Sequence, residues 1–317
     1  MTNFIIRRLL WTVPALWVAA TLVWVFMFLI PGDPARVLAG QRADEQVLAQ
    51  VRSEWGLDQP APRRYFRFLG KLIRFDLGTS YAYRKPVADL LLPRLQATFF
   101  LALSATVLSI IAGLSLGVLS AARTGTWIDA AATGFSTAGI ALPTFWVGLM
   151  LMLVFASWLR WLPVQGYGDG AVIAGIQLPG WAHLVLPTST LAFFSCGYLA
   201  RVSRASLLEE SCMDYARGAR ARGVSENATL LRHVMANSLL PIVTLVGMQF
   251  GGLLGGAIVT ETVFNWPGLG RMIYDAINGR DLPVIEGAVL LMTALVLLVN
   301  LAVDISYALL DPRVRRS

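Results

Sequence analysis

The sequence predicts an all-α integral membrane protein of about six spans, with both ends on the same side of the bilayer. Three observations predict it. Of the 317 residues, 56% are hydrophobic and 14% charged, against roughly 25% charged in soluble domains. Uncharged apolar runs long enough to cross a bilayer recur along the whole chain. The basic residues are divided among the polar breaks between these runs. The formal charge of +7 and pI of 9.8 therefore read as contact with lipid headgroups, and no nucleic-acid partner is expected.

Catalytic chemistry finds no foothold. Cys196 and Cys212 give no disulfide framework, and no CxxC or histidine cluster points to a metal. His183 and His233 are far apart at loop positions, so no nucleophile–base or metal set is available to an intramembrane enzyme. No G-x-x-x-x-G-K-[ST] occurs: Gly70-Lys71 is followed by Leu72 and lacks the upstream glycine. The chain is expected to be non-catalytic, and any pumping to draw its energy from another subunit.

Taken in order, Arg7 and Arg8 precede a first span at residues 9–30, longer than the ~7–15-residue apolar core of a signal peptide. Pro14 near its end is tolerated in a span. Residues 31–94 form the largest polar segment, placed outside although it is net positive. One amphipathic helix is expected from Asp44 to about residue 56, and a second, opened by Pro62, carries Tyr65, Phe66, Phe68, Leu69, Leu72 and Ile73. A second span at 97–121 ends at Arg123. A third at 130–159 is bent by Pro143 within LPTFWVG, which makes Pro143, Phe145 and Trp146 kink or pathway candidates. The glycine-rich loop 160–183 should include a short re-entrant or surface piece around Val172, and a fourth span follows at 184–202.

The fifth span, 239–260, is glycine-dense. Gly247, Gly251 and Gly255 are spaced by four, and Gly252 and Gly256 repeat the spacing. Small residues in that pattern make a flat contact stripe, expected here to be the seam with a partner membrane subunit. Beyond it, Met272, Ile273 and Ile277 mark one side of a short outer amphipathic helix. The last span, 284–310, carries Asp304 near its cytoplasmic end, read as a structural polar contact, and a basic tail follows.

The polar interruption 211–241 between spans four and five reads as two small helices meeting at a corner. Ser211 and Asp214 have the spacing of a helix start. Arg220 and Arg222 fall in a last turn, where a helix end carries partial negative charge. Gly223 supplies the left-handed closing residue. Ser225 and Glu226 restart a helix with Leu230, Leu231, Val234 and Met235 on one side.

Arg217-Gly218-Ala219, Gly223 and Leu240-Pro241 resemble the coupling loop of permeases from importers driven by ATP-binding cassettes (ABC importers). ARARG at 219–223, LLRH at 230–233 and N-x-LLP at 237–241 are similar to the dipeptide/oligopeptide branch of that family. So are LIPGDPA at 29–35, GLDQP at 56–60, DLGTS at 76–80 and ETVFNWPGLGRMIYDAI at 261–277, although Phe75 stands where the branch usually has glycine. The resemblance covers nearly the whole chain. It implies a type I ABC importer permease fold in a prokaryotic plasma membrane, with both termini cytoplasmic. Its implied partners are a second homologous permease, two ATP-binding cassette subunits and an extracytoplasmic solute-binding protein. ATP and Mg would be bound by the partner subunits, with no cofactor in this chain.

The activity implied is import of di- or oligopeptides by alternating access, with glutathione or nickel chelates as cargo alternatives. Coupling to the ATPases would fall to Asp214, Arg217, Gly218, Ala219, Arg220, Arg222, Gly223, Leu230, Leu231 and His233, and contact with the binding protein to Asp76, Trp266 and Arg271. The segments would be a first span and cytoplasmic end at 1–30, an external segment at 31–94, a transmembrane domain at 95–311 containing the coupling loop 211–241, and a tail at 312–317. An ion-coupled secondary transporter would instead place paired charges in mid-membrane, where only Asp304 is available. A helix-turn-helix reading of the corner fails because a loop tethered between two spans cannot present a dimer to a DNA groove.

Overall fold

A computed structural model describes residues 2–29, 35–36, 44–55, 57–168, 171–173, 176–178 and 180–310. Most of the LIPGDPA motif and the basic tail lie outside the described residues. The all-α membrane architecture is present. Helix α1 (Thr2–Leu29) starts well before the apolar run, because nothing in Asn3–Arg8 opposes helix. Two shorter helices follow, α2 (Glu45–Trp55) and α3 (Ala61–Ile73), the latter opened by Pro60 and Pro62. Helix α4 (Val87–Ala122) and α7 (Ala182–Ser211) are the long central rods. A hydrogen-bonded run comprising α9 (Glu226–Thr229), a π-helical turn (Leu230–Val234) and α10 (Met235–Gly256) supplies another crossing, and α13 (Leu282–Leu310) the last.

Among the described residues four helices are long and apolar enough to cross a membrane, Val87–Ala122, Ala182–Ser211, Glu226–Gly255 and Leu282–Ser306, and α1 adds the apolar stretch Leu10–Phe26. The expected third span departs from the reading as one kinked helix. Helix α5 (Trp127–Ala141) and α6 (Thr144–Leu151), with its π-helical continuation Met152–Trp158, meet at 107°. Proline disfavours helical backbone in the residue before it, and Leu142 is extended at ψ 135° with Pro143 heading the new helix. The piece around Val172 is a β-hairpin, with Ala171–Ile173 antiparallel to Ile176–Leu178. Exposed Trp158, Trp161 and Trp181 ring the end of the bundle near this hairpin, and exposed Trp127 stands at the opposite end, as tryptophans do at the two faces of a bilayer.

Glycines set the packing, though not where the sequence pattern first points. A Cβ on Gly113 would lie 2.9 Å from Leu199 Cβ, one on Gly117 2.7 Å from Ser203 Cβ, and one on Gly139 2.7 Å from the Phe193 carbonyl. Backbones of α4, α5 and α7 therefore touch almost directly, which is how helices gain dispersion energy in lipid. The fifth-span stripe divides in two. Gly247 is closed over by Val303, and a Cβ on Gly251 would lie 3.8 Å from Val296, so both face α13 of the same chain. Gly252 and Gly255 meet nothing, and the surroundings of Gly256 lie outside the description. The apolar cores are small and local. One joins Val87 and Leu91 of α4 to Val284, Ile285 and Ala288 of α13, and to Leu269, Met272, Ile273 and Ala276 of α12 (Leu269–Gly279). Helix α12 is thus a core helix, and Ile277, expected on its apolar side, is exposed.

Gly117→Val should lower the thermal stability of the purified protein by roughly 1–3 kcal/mol, the usual cost of overpacking. Gly252→Ala, with open space around it, should leave the melting temperature unchanged. Thermal melts of both variants in detergent check the contrast.

Candidate functional site

The interruption between α7 and α10 folds into a braced elbow. Its first helix, α8 (Asp214–Ala221), buries Ala216 and Ala219 and packs Ala216 against Leu207 of α7 and Val234 of the π-turn, with Val118 and Ala121 of α4 alongside. Alanine is small enough for the short helix to lie close to the bundle, so the elbow is seated on the spans that flank it. The corner closes as a Schellman motif: the Val224 amide donates to the Ala219 carbonyl at 3.2 Å and the Gly223 amide to Arg220 at 2.9 Å. Gly223 takes the left-handed position at φ 82°, as this motif requires.

The expected coupling residues divide into a brace and an outer face. Arg220 is an internal brace: its Nη1 donates to the Ser211 carbonyl at 2.8 Å and its Nε lies 2.9 Å from Glu226 Oε1. It joins the end of α7 to the start of α9 and is not free to dock on a partner. Ser211 is not a cap either. It ends α7, its hydroxyl donating to Leu207, and Met213 precedes α8 instead. Asp214 and Arg217 pair loosely at 3.5 Å in full solvent. Arg222 and His233 are exposed, Gly218 half-buried, and Leu230 partly buried against Val234. The π-turn adds a residue to the helical repeat and turns Leu231 outward to 54% exposure, off the side expected for it. Leu231 joins exposed Met213 and Tyr215. Partial burial and then the Glu210 carboxylate, to which its hydroxyl donates at 2.6 Å, raise the Tyr215 phenol above its ordinary value.

Behind the elbow a second brace joins the α4–α5 turn to α7. Arg204 grips Asp129 with two parallel bonds, Nε to Oδ1 and Nη2 to Oδ2, both 2.8 Å. The Ser120 hydroxyl and the Gly125 amide donate to the same carboxylate. At the far end of the molecule the ETVFNWPGLG stretch is organised by Glu261, which is fully buried in α11 (Ile258–Val263). Its carboxylate accepts from the Thr98 hydroxyl at 2.6 Å and the Arg271 amide at 2.9 Å, while the Leu269 amide donates to Thr98 Oγ1. Together they satisfy the first amides of α12, where a helix carries partial positive charge. Side chains at positions 268 or 270 would strike this carboxylate, a physical reason for the P-G-L-G spelling.

Trp266, expected to face a docked protein, is instead buried with its indole N–H on the Ala97 carbonyl. Arg271 is held by Asn265. Asp76 is exposed and accepts the Gly78 amide in a turn. Pro143 sits at the α5–α6 break, and Phe145 and Trp146 stand half-exposed beyond it.

The binding-protein-dependent transport system inner membrane component family matches residues 109–316, and its N-terminal companion family matches residues 1–102. The chain belongs to this family of ABC importer permeases. The permease is 40% identical over 315 residues to the glutathione transport system permease protein GsiC of Escherichia coli K12, covering 99% of each chain. The GsiC protein of Salmonella paratyphi A is equally similar over the same span. Among solved structures, the inward-facing MetNI methionine ABC transporter aligns with TM-score 0.56 at 18% identity, over 70% of this chain and 96% of that one. An amino acid ABC transporter solved with histidines aligns at TM-score 0.50. These likenesses show the type I permease fold. The permease is a multi-pass inner-membrane subunit of an ABC importer, a class that works with ATPase and binding-protein partners.

Sequence reasoning missed both carboxylate sites of the permease. Ser120 and Asp129 lie nine residues apart across a loop, a detectable spacing, but Arg204 is 75 residues from Asp129. Thr98 and Glu261 are 163 residues apart, and only the acid at the head of ETVFNW hinted at them. Asp129→Asn should lower the permease's melting temperature. The double variant with Arg204→Gln should lose little more than either single, because the two groups act as one unit. Additive losses in a melting series would show that they do not.

Proposed function

We propose that this permease pairs with a homologous permease to form the path for ATP-driven import of di- and oligopeptides, glutathione-sized tripeptides included, delivered by a solute-binding protein. Two ATP-binding cassette subunits supply the work and hold ATP and Mg, and this chain is non-catalytic. In this reading the elbow and both termini are cytoplasmic. The observation that carries it is the elbow itself: a short helix whose inner side is packed on α7 and the π-turn and whose outer side offers Met213, Tyr215, Leu231, Arg217 and Arg222 to a partner. An amphipathic helix of that kind seats in a groove by its apolar anchors, while rim charges set orientation more than affinity. The peptide cargo is supported by the resemblance of the WPGLG and DLGTS stretches to the peptide branch and by the 40% identity to glutathione permeases.

Uptake of labelled dipeptide by cells carrying the whole system should collapse when ATP is depleted and ion gradients are held. Persistence under those conditions would favour gradient coupling. Unlabelled glutathione and nickel chelates, added as competitors, distinguish the cargo classes. Gly223→Val forces a β-branched residue into the left-handed region at a cost of roughly 1–2 kcal/mol. It should leave the permease inserted while co-purification of the ATPases falls, and normal co-purification with full uptake would refute the coupling role.

A further inference from the structure

Helix α3 carries Arg63, Arg64, Arg67 and Lys71, is followed by Arg74, and contains no acid. At about 3.6 residues per turn it has three faces. Tyr65, Phe68 and Leu72 hold it to the bundle: the Tyr65 hydroxyl is 2.7 Å from Thr21 Oγ1, its ring is edge-on to Trp24, and Phe68 and Leu72 pack on Ala20, Val23 and Leu290. A second face bears Phe66 and Ile73, 69% and 79% exposed. The third is cationic, and its Arg64, Arg67 and Lys71 line a cavity of about 180 Å³ against Asp76, Tyr81 and Glu286. That volume holds a phosphate group with some water.

Phe75 closes α3 as Gly223 closes α8, with the Asp76 amide on the Lys71 carbonyl and the Phe75 amide on Leu72. It takes the left-handed position at φ 57° and is 90% exposed. A non-glycine residue there is strained, and in water an exposed ring would return nothing. In the acyl boundary it would. Helix α1, on which α3 packs, also exposes Trp17, Leu22 and Phe28, the last lying under the Arg64 guanidinium, and a helix with a cationic face beside an aromatic one lies in the plane of the headgroups.

We propose that α3 is an interfacial anchor on the side of the membrane away from the elbow, and that its cavity takes the phosphate of an anionic phospholipid between Arg64, Arg67 and Lys71. The cavity's three cations outnumber its two carboxylates. Asp76 Oδ1 is engaged by the Gly78 amide, Glu286 faces both Arg64 and Lys71, and Arg67 bonds the neutral Gln59. The inference goes beyond the peptide-import reading and needs only that the spans lie in a bilayer. It also accounts for a net positive segment on the outer side.

The test is native mass spectrometry of the assembled complex released from nanodiscs of phosphatidylglycerol in phosphatidylcholine. The wild type should retain phosphatidylglycerol selectively. Arg64→Gln, Arg67→Gln and Lys71→Gln should each lower retention roughly five-fold. Phe75→Gly should lower it while the melting temperature holds or rises. Equal retention of the two lipids, unchanged retention in the combined triple variant, or full displacement by glycerol 3-phosphate would overturn the lipid site. So would a Phe75→Gly that loses stability and keeps its lipid. Neither ATP nor cargo enters this readout, so a complex that keeps lipid selectivity but imports no peptide would overturn only the import reading.

Discussion

The structure depends first on the approach of α7 to α4 and α5 without side chains between them. Gly113 and Gly117 on α4, and Gly139 on α5, leave room for no Cβ against α7. In lipid there is no hydrophobic drive to bring helices together, so this contact of backbone on backbone has to supply the association. Helix α7 is consequently held along most of its length, and the elbow that continues from its end inherits a fixed base.

Two buried polar sites bracket that contact. Near the elbow Asp129 gathers a hydroxyl, an amide and the Arg204 guanidinium. At the opposite end Glu261 gathers the Thr98 hydroxyl and the first amides of α12. Nearby Asp281 takes the Ser80 hydroxyl with the amides of Tyr81 and Ala82. Burial, followed by the charges of Glu286 and Asp281, pushes the Tyr81 phenol up to about 12. Each carboxylate satisfies backbone donors that apolar surroundings would otherwise leave unpaired. Each also joins segments distant in sequence, so the two ends of the rods are fixed by specific bonds where the middle is held by shape.

Much of this was legible in the sequence. Length and hydropathy located the apolar crossings, Gly223 marked the corner, and Asp44 and Pro62 marked the openings of α2 and α3 to within a residue or two. What escaped has physical causes. The π-turn at Leu230–Val234 shifts the helical phase by one residue, so Leu231 could not be placed by a regular repeat. A proline predicts a bend, but the 107° break at Pro143 depends on α7 and Phe264, against which Gly148 of α6 packs. Spacing by four singled out the fifth-span glycines, yet it is the same spacing at Gly113 and Gly117 that brings backbone against backbone. Which stripe is used depends on the facing helix, and that is not written in the stripe. Arg220 read as a docking cation because its partners, the Ser211 carbonyl and Glu226, come together only when the corner folds.

Left-handed backbone at the ends of helices has a practical consequence. The elbow closes on glycine, but the corners at the other end of the molecule place Phe75, Asn265 and Arg280 at φ 57°, 54° and 53°. Those three side chains are carried against a local conformational preference, so this rim holds stored strain that the corner at Gly223 lacks. The rim is therefore the natural place to build a sturdier version of the molecule for crystallisation or imaging, leaving the elbow untouched.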